Sequence, residues 1–182
     1  LATIGRLRAA ATDTAAGVDV GVGAAPKVLV RVDSAFYGYR AVRAAIRGGA
    51  DVSVTVRQTE TVKAAIGEID DSAWTPIEYT DAVYDENTGT WISRAEVAEI
   101  DFTAFTSRTK SQQIPGRLIV RRIPDLNLEA TDQGTLFDTW RFHAFFTTTD
   151  LDTVTADKTH RQHAIIEQVH ADLKNSALAH LP

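Results

Sequence analysis

The residues best placed to do chemistry are two carboxylates far apart in the chain, Asp33 and Glu167. Asp33 follows the apolar run Val28-Leu29-Val30-Arg31-Val32, in which Arg31 is the one charge. The run is rich in β-branched residues and is punctuated by Pro26 before it and Gly38 after it, a pattern that predicts a strand buried on both faces. In open α/β sheets function gathers where strands end and loops begin, so the position makes Asp33 a candidate working acid. The same residue could instead cap the helix that follows, since Asp readily accepts backbone hydrogen bonds there.

Glu167 belongs to a second constellation. His160, His163, Glu167, His170 and Lys174 are spaced by three, four, three and four residues, which sets all five on one face of a helix. That face runs on into Leu178 and Leu181, so neighbouring structure is expected to cover it, and a carboxylate at such an edge is a candidate for chemistry. The same spacing allows a zinc site, because imidazoles one turn apart can converge on one ion. Against zinc, ligands strung along one straight helix spread over too great a length to share a tetrahedron.

The elements that must position these groups follow from the pattern of the chain. Leu1, Ile4 and Leu7 suit the tail of an amphipathic helix over 1–11, and residues 13–25, rich in Gly, Ala and Asp, read as a loop. A helix is predicted from about Phe36 to Arg47, stopped by Gly48-Gly49, then a strand over 51–57 on the alternation Val52, Val54, Val56. So short a strand-helix-strand crossover implies a parallel pair. A short helix over 59–69 comes next. Between Trp74 and Thr149 the period turns to β, with runs at 91–93, 97–105, 117–123 and 140–148, broken by turns at Asp85–Gly89 and Ile114–Gly116. A long helix over 155–181 closes the chain on the stripe Ile166, Val169 and Leu173, with Ile165 beside it. The expected organisation is a core segment over 1–70, an antiparallel β insertion over 71–150 and a return to the core over 151–182.

The chain has 182 residues with 44% hydrophobic content, enough for one full core and a small second lobe. No run is long enough to span a bilayer and no leader with a cleavage site opens the chain, so a soluble protein without a membrane partner is expected. The absence of cysteine fits a reducing cytoplasm. The absence of methionine makes Leu1 read as a cut end rather than a natural start. A net charge of −5 argues mildly against nucleic-acid binding if spread evenly, but it is segregated. Residues 67–101 hold ten acids and one base, whereas 102–124 hold five bases, Arg108, Lys110, Arg117, Arg121 and Arg122, and no acid. Either a basic stripe that binds phosphate or two neighbouring strands that neutralise each other would produce this. No Gly-rich phosphate loop, nucleophile elbow or Cys-His pair supports a nucleotide hydrolase or an acyl transferase.

The segment from Val28 to Ala35 around Asp33, a β-rich insertion, and His160 to Lys174 around Glu167 together resemble bacterial insertion-sequence DDE transposases. The group in point has a ribonuclease-H-like core interrupted by a β insertion before its last helix. Its most specific match is Glu167 followed by Lys174, while His160 and His163 hold positions that are Tyr and Arg in many relatives. The resemblance implies an α/β, partial ribonuclease-H-like fold in which Asp33 is the second catalytic acid and Glu167 the third, both ligating Mg2+ (or Mn2+). It implies strand cleavage and joining at transposon ends on double-stranded DNA and into target DNA, by a homodimer in a synaptic complex. Lys174, Arg121, Arg122, Trp140 and His163 would contact the DNA, in a cytoplasmic, nucleoid-associated protein. The first acid should lie on a strand upstream of the helix holding Leu1, so this chain resembles an incomplete core, inactive alone. A non-catalytic DNA- or partner-binding remnant would share every one of these features.

Overall fold

The computed structural model describes residues 27–79, 82–124 and 140–162, so the helix and loop expected over 1–25 and the last helix beyond residue 162 fall outside it. Strands β1 (Leu29–Val32) and β2 (Asp51–Thr55) pair in parallel, with Val30 opposite Val52 and Arg31 opposite Ser53, as the short crossover predicts. The helix between them, α1 (Tyr39–Arg47), starts later than expected because Gly38 is extended and separates it from a 3-10 turn at Ser34–Phe36. Gly49 ends it at φ +77°, a conformation that costs glycine little, and Ala50 donates its N–H back to the Ala45 carbonyl at 3.1 Å. Thr59 caps α2 (Glu60–Gly67) by accepting from the Val62 N–H.

The β-rich stretch forms β3 (Thr75–Pro76), a hairpin of β4 (Val83–Asp85) and β5 (Thr90–Ile92), and the long strands β6 (Glu96–Ala104), β7 (Ile114–Pro124) and β8 (Trp140–Thr147). The turn predicted at Asp85–Gly89 closes the β4–β5 hairpin, with Gly89 at φ +67°. The turn predicted at Ile114–Gly116 is instead the start of β7. There β7 is paired only by β6, since its register with β8 begins at Arg117, and one open side accommodates Pro115, which has no N–H. Gly116 is small for packing: a Cβ there would lie 2.5 Å from the Thr147 carbonyl oxygen and 2.7 Å from the Phe146 ring.

Strands β6, β7 and β8 are antiparallel, and β8 continues onto β2 with Phe146 opposite Val54, giving one mixed six-stranded sheet in the order β1-β2-β8-β7-β6-β3. Residues from both sides of position 70 therefore share one sheet and one core. Alternation along the strands divides that core between two faces. Val42 and Ala45 of α1 and Val62 and Ile66 of α2 join Val52, Val54, Leu118, Val120, Ala144 and Phe146 on one face. On the other, Ile119, Phe145 and Val97 meet Ile77, Ala95 and Ala156, the last on α3, whose described part spans residues 153–162. Asp152 caps α3 by accepting from the Thr155 N–H at 2.9 Å, which sets its start slightly before the expected position. Contrary to the expectation of burial on both faces, all four residues of β1 are half-buried, since β1 ends the sheet order and has a single neighbour among the described residues. No helix among the described residues is long and apolar enough to cross a membrane.

Candidate functional site

Asp33 follows the last residue of β1 in extended conformation, φ −81° and ψ 178°, and is exposed. Its Oδ1 accepts from the Ala35 N–H and so caps the Ser34–Phe36 turn, while its other carboxylate oxygen has no partner among the described residues. Capping and availability thus coexist, because the cap engages one oxygen and fixes the direction of the other. Aromatic rings support this turn from behind. Tyr37 stacks on Phe105 at 5.1 Å and Tyr39 meets the same ring edge-on at 5.9 Å, and burial pushes the Tyr37 hydroxyl pKa up to about 12. Phe105 holds φ +63°, unusual for a bulky residue, and its stacked ring stabilises the turn that carries Arg108 over the face of Tyr39 at 4.7 Å.

The sheet face bearing Arg31 is crossed by α3, and three sets of contacts fix the crossing. Thr153 donates to Glu99 at 2.7 Å at one end. In the middle, the fully buried carboxylate of Asp157 meets Arg161 at 2.7 Å and Arg121 at 3.3 Å. Burial lowers the Arg121 pKa against the opposing pull of Asp157. At the other end His160 has Nδ1 2.7 Å from the Ser53 hydroxyl and Nε2 3.0 Å from the Thr55 hydroxyl, with its ring flat on Phe145 at 4.0 Å. Arg31 adds a hydrogen bond to the Thr159 carbonyl. The helix is thereby seated on β2 and on β1, the strand that carries Asp33. Ser53 and Thr55 escaped the sequence reading, although small polar residues between Val52, Val54 and Val56 are a signal that one strand face meets something polar.

Of the residues expected to contact DNA, Arg122 and Trp140 come together and Arg121 stands apart. The Arg122 guanidinium lies between two indoles, 4.2 Å from Trp74 and 4.5 Å from Trp140, and pairs with Glu96 at 2.6 Å. Arg121, its sequence neighbour, points to the opposite face and is committed to Asp157. Arg117 pairs with Glu99 at 2.6 Å. Of the two explanations for the segregated charge, neutralisation across the ladder is thus realised at Arg117 and Arg122, each against an acid of β6. His163, Glu167, His170 and Lys174 lie outside the described residues, and so does the geometry of any zinc or magnesium site that needs them. Among the described residues no three His, Asp or Glu side chains cluster as metal ligands. Comparison with family models and with curated proteins finds no match to this chain.

Proposed function

We propose that this chain forms part of the catalytic core of a DDE-type DNA transposase, with a ribonuclease-H-like sheet extended by a β insertion. Asp33 acts in it as the second acid and Glu167 as the third. The observation that carries the proposal is the seating of α3. His160 on Ser53 and Thr55, and Arg31 on the Thr159 carbonyl, bring the segment leading to Glu167 against the strands that deliver Asp33.

The Asp33 oxygen that does not serve the cap is a hard donor that suits Mg2+ or Mn2+. Such ions, when bound, supply the activation of water or of a DNA 3′ hydroxyl and offset charge on the leaving oxygen. The contribution of the chain is positional. The Ala35 N–H orients the Asp33 carboxylate, the His160 anchor sets the approach of the helix, and Lys174 would hold a phosphate as a point charge. The edge of β1 that has no neighbour among the described residues is where a further parallel strand, bearing the first acid, would join the sheet. The partner is double-stranded DNA, engaged by a homodimer.

The test uses strand cleavage of plasmid DNA with Mg2+ or Mn2+. The 182-residue chain should neither nick nor join, since two acids leave the ions under-coordinated, whereas a longer chain supplying a strand-borne Asp should cleave. In that longer chain Asp33→Asn should abolish cleavage while DNA affinity is kept. Full activity in the Asp33→Asn protein would overturn the assignment.

A further inference from the structure

The outer face of α1 carries Arg40, Arg43 and Arg47, and none of them forms an ion pair with any described residue. With about 3.6 residues per turn, positions i, i+3 and i+7 fall on one stripe, opposite the buried Val42 and Ala45. Arg40 and Arg47 are exposed, Arg43 is half-buried, and the Nε of Arg43 finds no acceptor among the described residues. The exposed Arg108, held over Tyr39 at the first turn of α1, extends the stripe at its N-terminal end. This end of α1 follows directly on the Asp33 turn. Among the described residues Lys27, Lys63, Arg117, Arg121, Arg122 and Arg161 pair with acids, whereas Arg57, Arg94, Lys110 and Lys158 form no ion pair there but are scattered over separate loops and elements. In a chain of net charge −5, three arginines on one face of a single helix with no acid partner among the described residues, and Arg108 beside its first turn, form a local concentration of positive charge.

We propose that this arginine stripe is a track for the phosphate backbone of duplex DNA leading to the Asp33 tip, an inference that rests on the transposase reading for its choice of DNA. From Arg40 to Arg47 the helix rises about 10 Å, and phosphates of one B-DNA strand advance about 3.4 Å each, so the stripe spans about three of them. An anionic membrane fits less well, because the apolar face of α1 is already buried in the core and has nothing to insert. Guanidinium groups contact phosphate without reading sequence, so binding here should be sequence-independent and strongly weakened by salt.

The experiment is fluorescence anisotropy of a labelled 20-base-pair duplex of arbitrary sequence with the 182-residue protein across a salt series. The triple variant Arg40→Ala, Arg43→Ala, Arg47→Ala should bind at least about tenfold more weakly, with a slope of log Kd against log salt reduced by about 2 to 3. Unchanged thermal melting would show that the fold is kept. Replacing the same three with Lys should retain most binding, and removing Lys27 and Lys63, cations paired elsewhere, should change little. Duplex affinity and slope unaltered in the triple variant would overturn the stripe while leaving the transposase reading intact, and so would a preference for single-stranded RNA or anionic vesicles that the variant loses instead. A wild-type chain that fails to bind any duplex at low salt would sink the stripe and the DNA partner together. Duplex binding that survives Asp33→Asn and is lost in the triple variant separates the stripe from the catalytic assignment.

Discussion

Tyr37 shows how one residue ties the candidate site to the stability of the fold. It sits four residues after Asp33, stacks on Phe105 and lies 6.4 Å from Phe146, and desolvation alone raises its pKa to about 12. An unfolded tyrosine ionises near 10. Because the folded value is the higher one, the neutral ring contributes stability that is complete below pH 10 and is lost as pH rises toward 12. Two pKa units would correspond to roughly 2–3 kcal/mol for a fully desolvated group, and the partial exposure of Tyr37 brings its contribution below that. Tyr37→Phe keeps the stack and removes the titration, so its unfolding free energy should fall less than that of the wild type between pH 9 and pH 11.5. Urea denaturation at the two pH values measures the difference, and identical losses in both proteins would contradict this role. The sequence marks Asp33 well, since a carboxylate closing an apolar run is visible without a structure. It does not mark the environment of Tyr37, which depends on Phe105 arriving from the turn after β6.

At the scale of elements, the long strands and both short helices were legible because their periods are repeated over several residues. The strands β3 and β4 were not, for two or three residues establish no period and Val83 and Tyr84 are exposed. Pro115 and Gly116 misled because each has two uses: both punctuate turns, and both tolerate a strand position where pairing is one-sided or packing is close. The docking of α3 was hidden for another reason. Its key residue, Asp157, looks from sequence like one more surface acid of a helix, but it is fully buried between Arg121 and Arg161. Removing one member of a buried charge network strands the others, at a cost of about 3–5 kcal/mol, whereas replacing the group by apolar residues of similar size is often neutral. Asp157→Leu should therefore destabilise the protein strongly, and adding Arg121→Met should recover most of the loss. Urea midpoints of the two single variants and the double variant test this. Additive losses in the double variant would mean that the two side chains are not coupled and that α3 is held by other contacts.

For the molecule as a whole, the pairing of β8 with β2 decides whether the chain behaves as a core with an independent β lobe or as one cooperative unit. Val42 and Val62, on helices before residue 70, pack in the same cluster as Leu118, Val120 and Phe146 from strands after it. Phe146 itself is fully buried against both groups, and burial of a side chain of that size contributes about 1.5–3 kcal/mol. A core shared in this way leaves neither part with a closed apolar surface of its own, so unfolding one should expose the other. The tryptophans provide a built-in reporter, because Trp74, Trp91 and Trp140 all lie in the second segment and none in the first. Val42→Ala removes two buried methyl groups from α1, far from any tryptophan in sequence, at an expected cost of about 2 kcal/mol. In a cooperative molecule this change shifts the urea midpoint of tryptophan fluorescence by as much as that of far-ultraviolet circular dichroism, and the two curves superimpose. If the fluorescence midpoint stayed at its wild-type value while the dichroism curve split into two steps, the β-rich segment would fold on its own and the single shared core would be wrong.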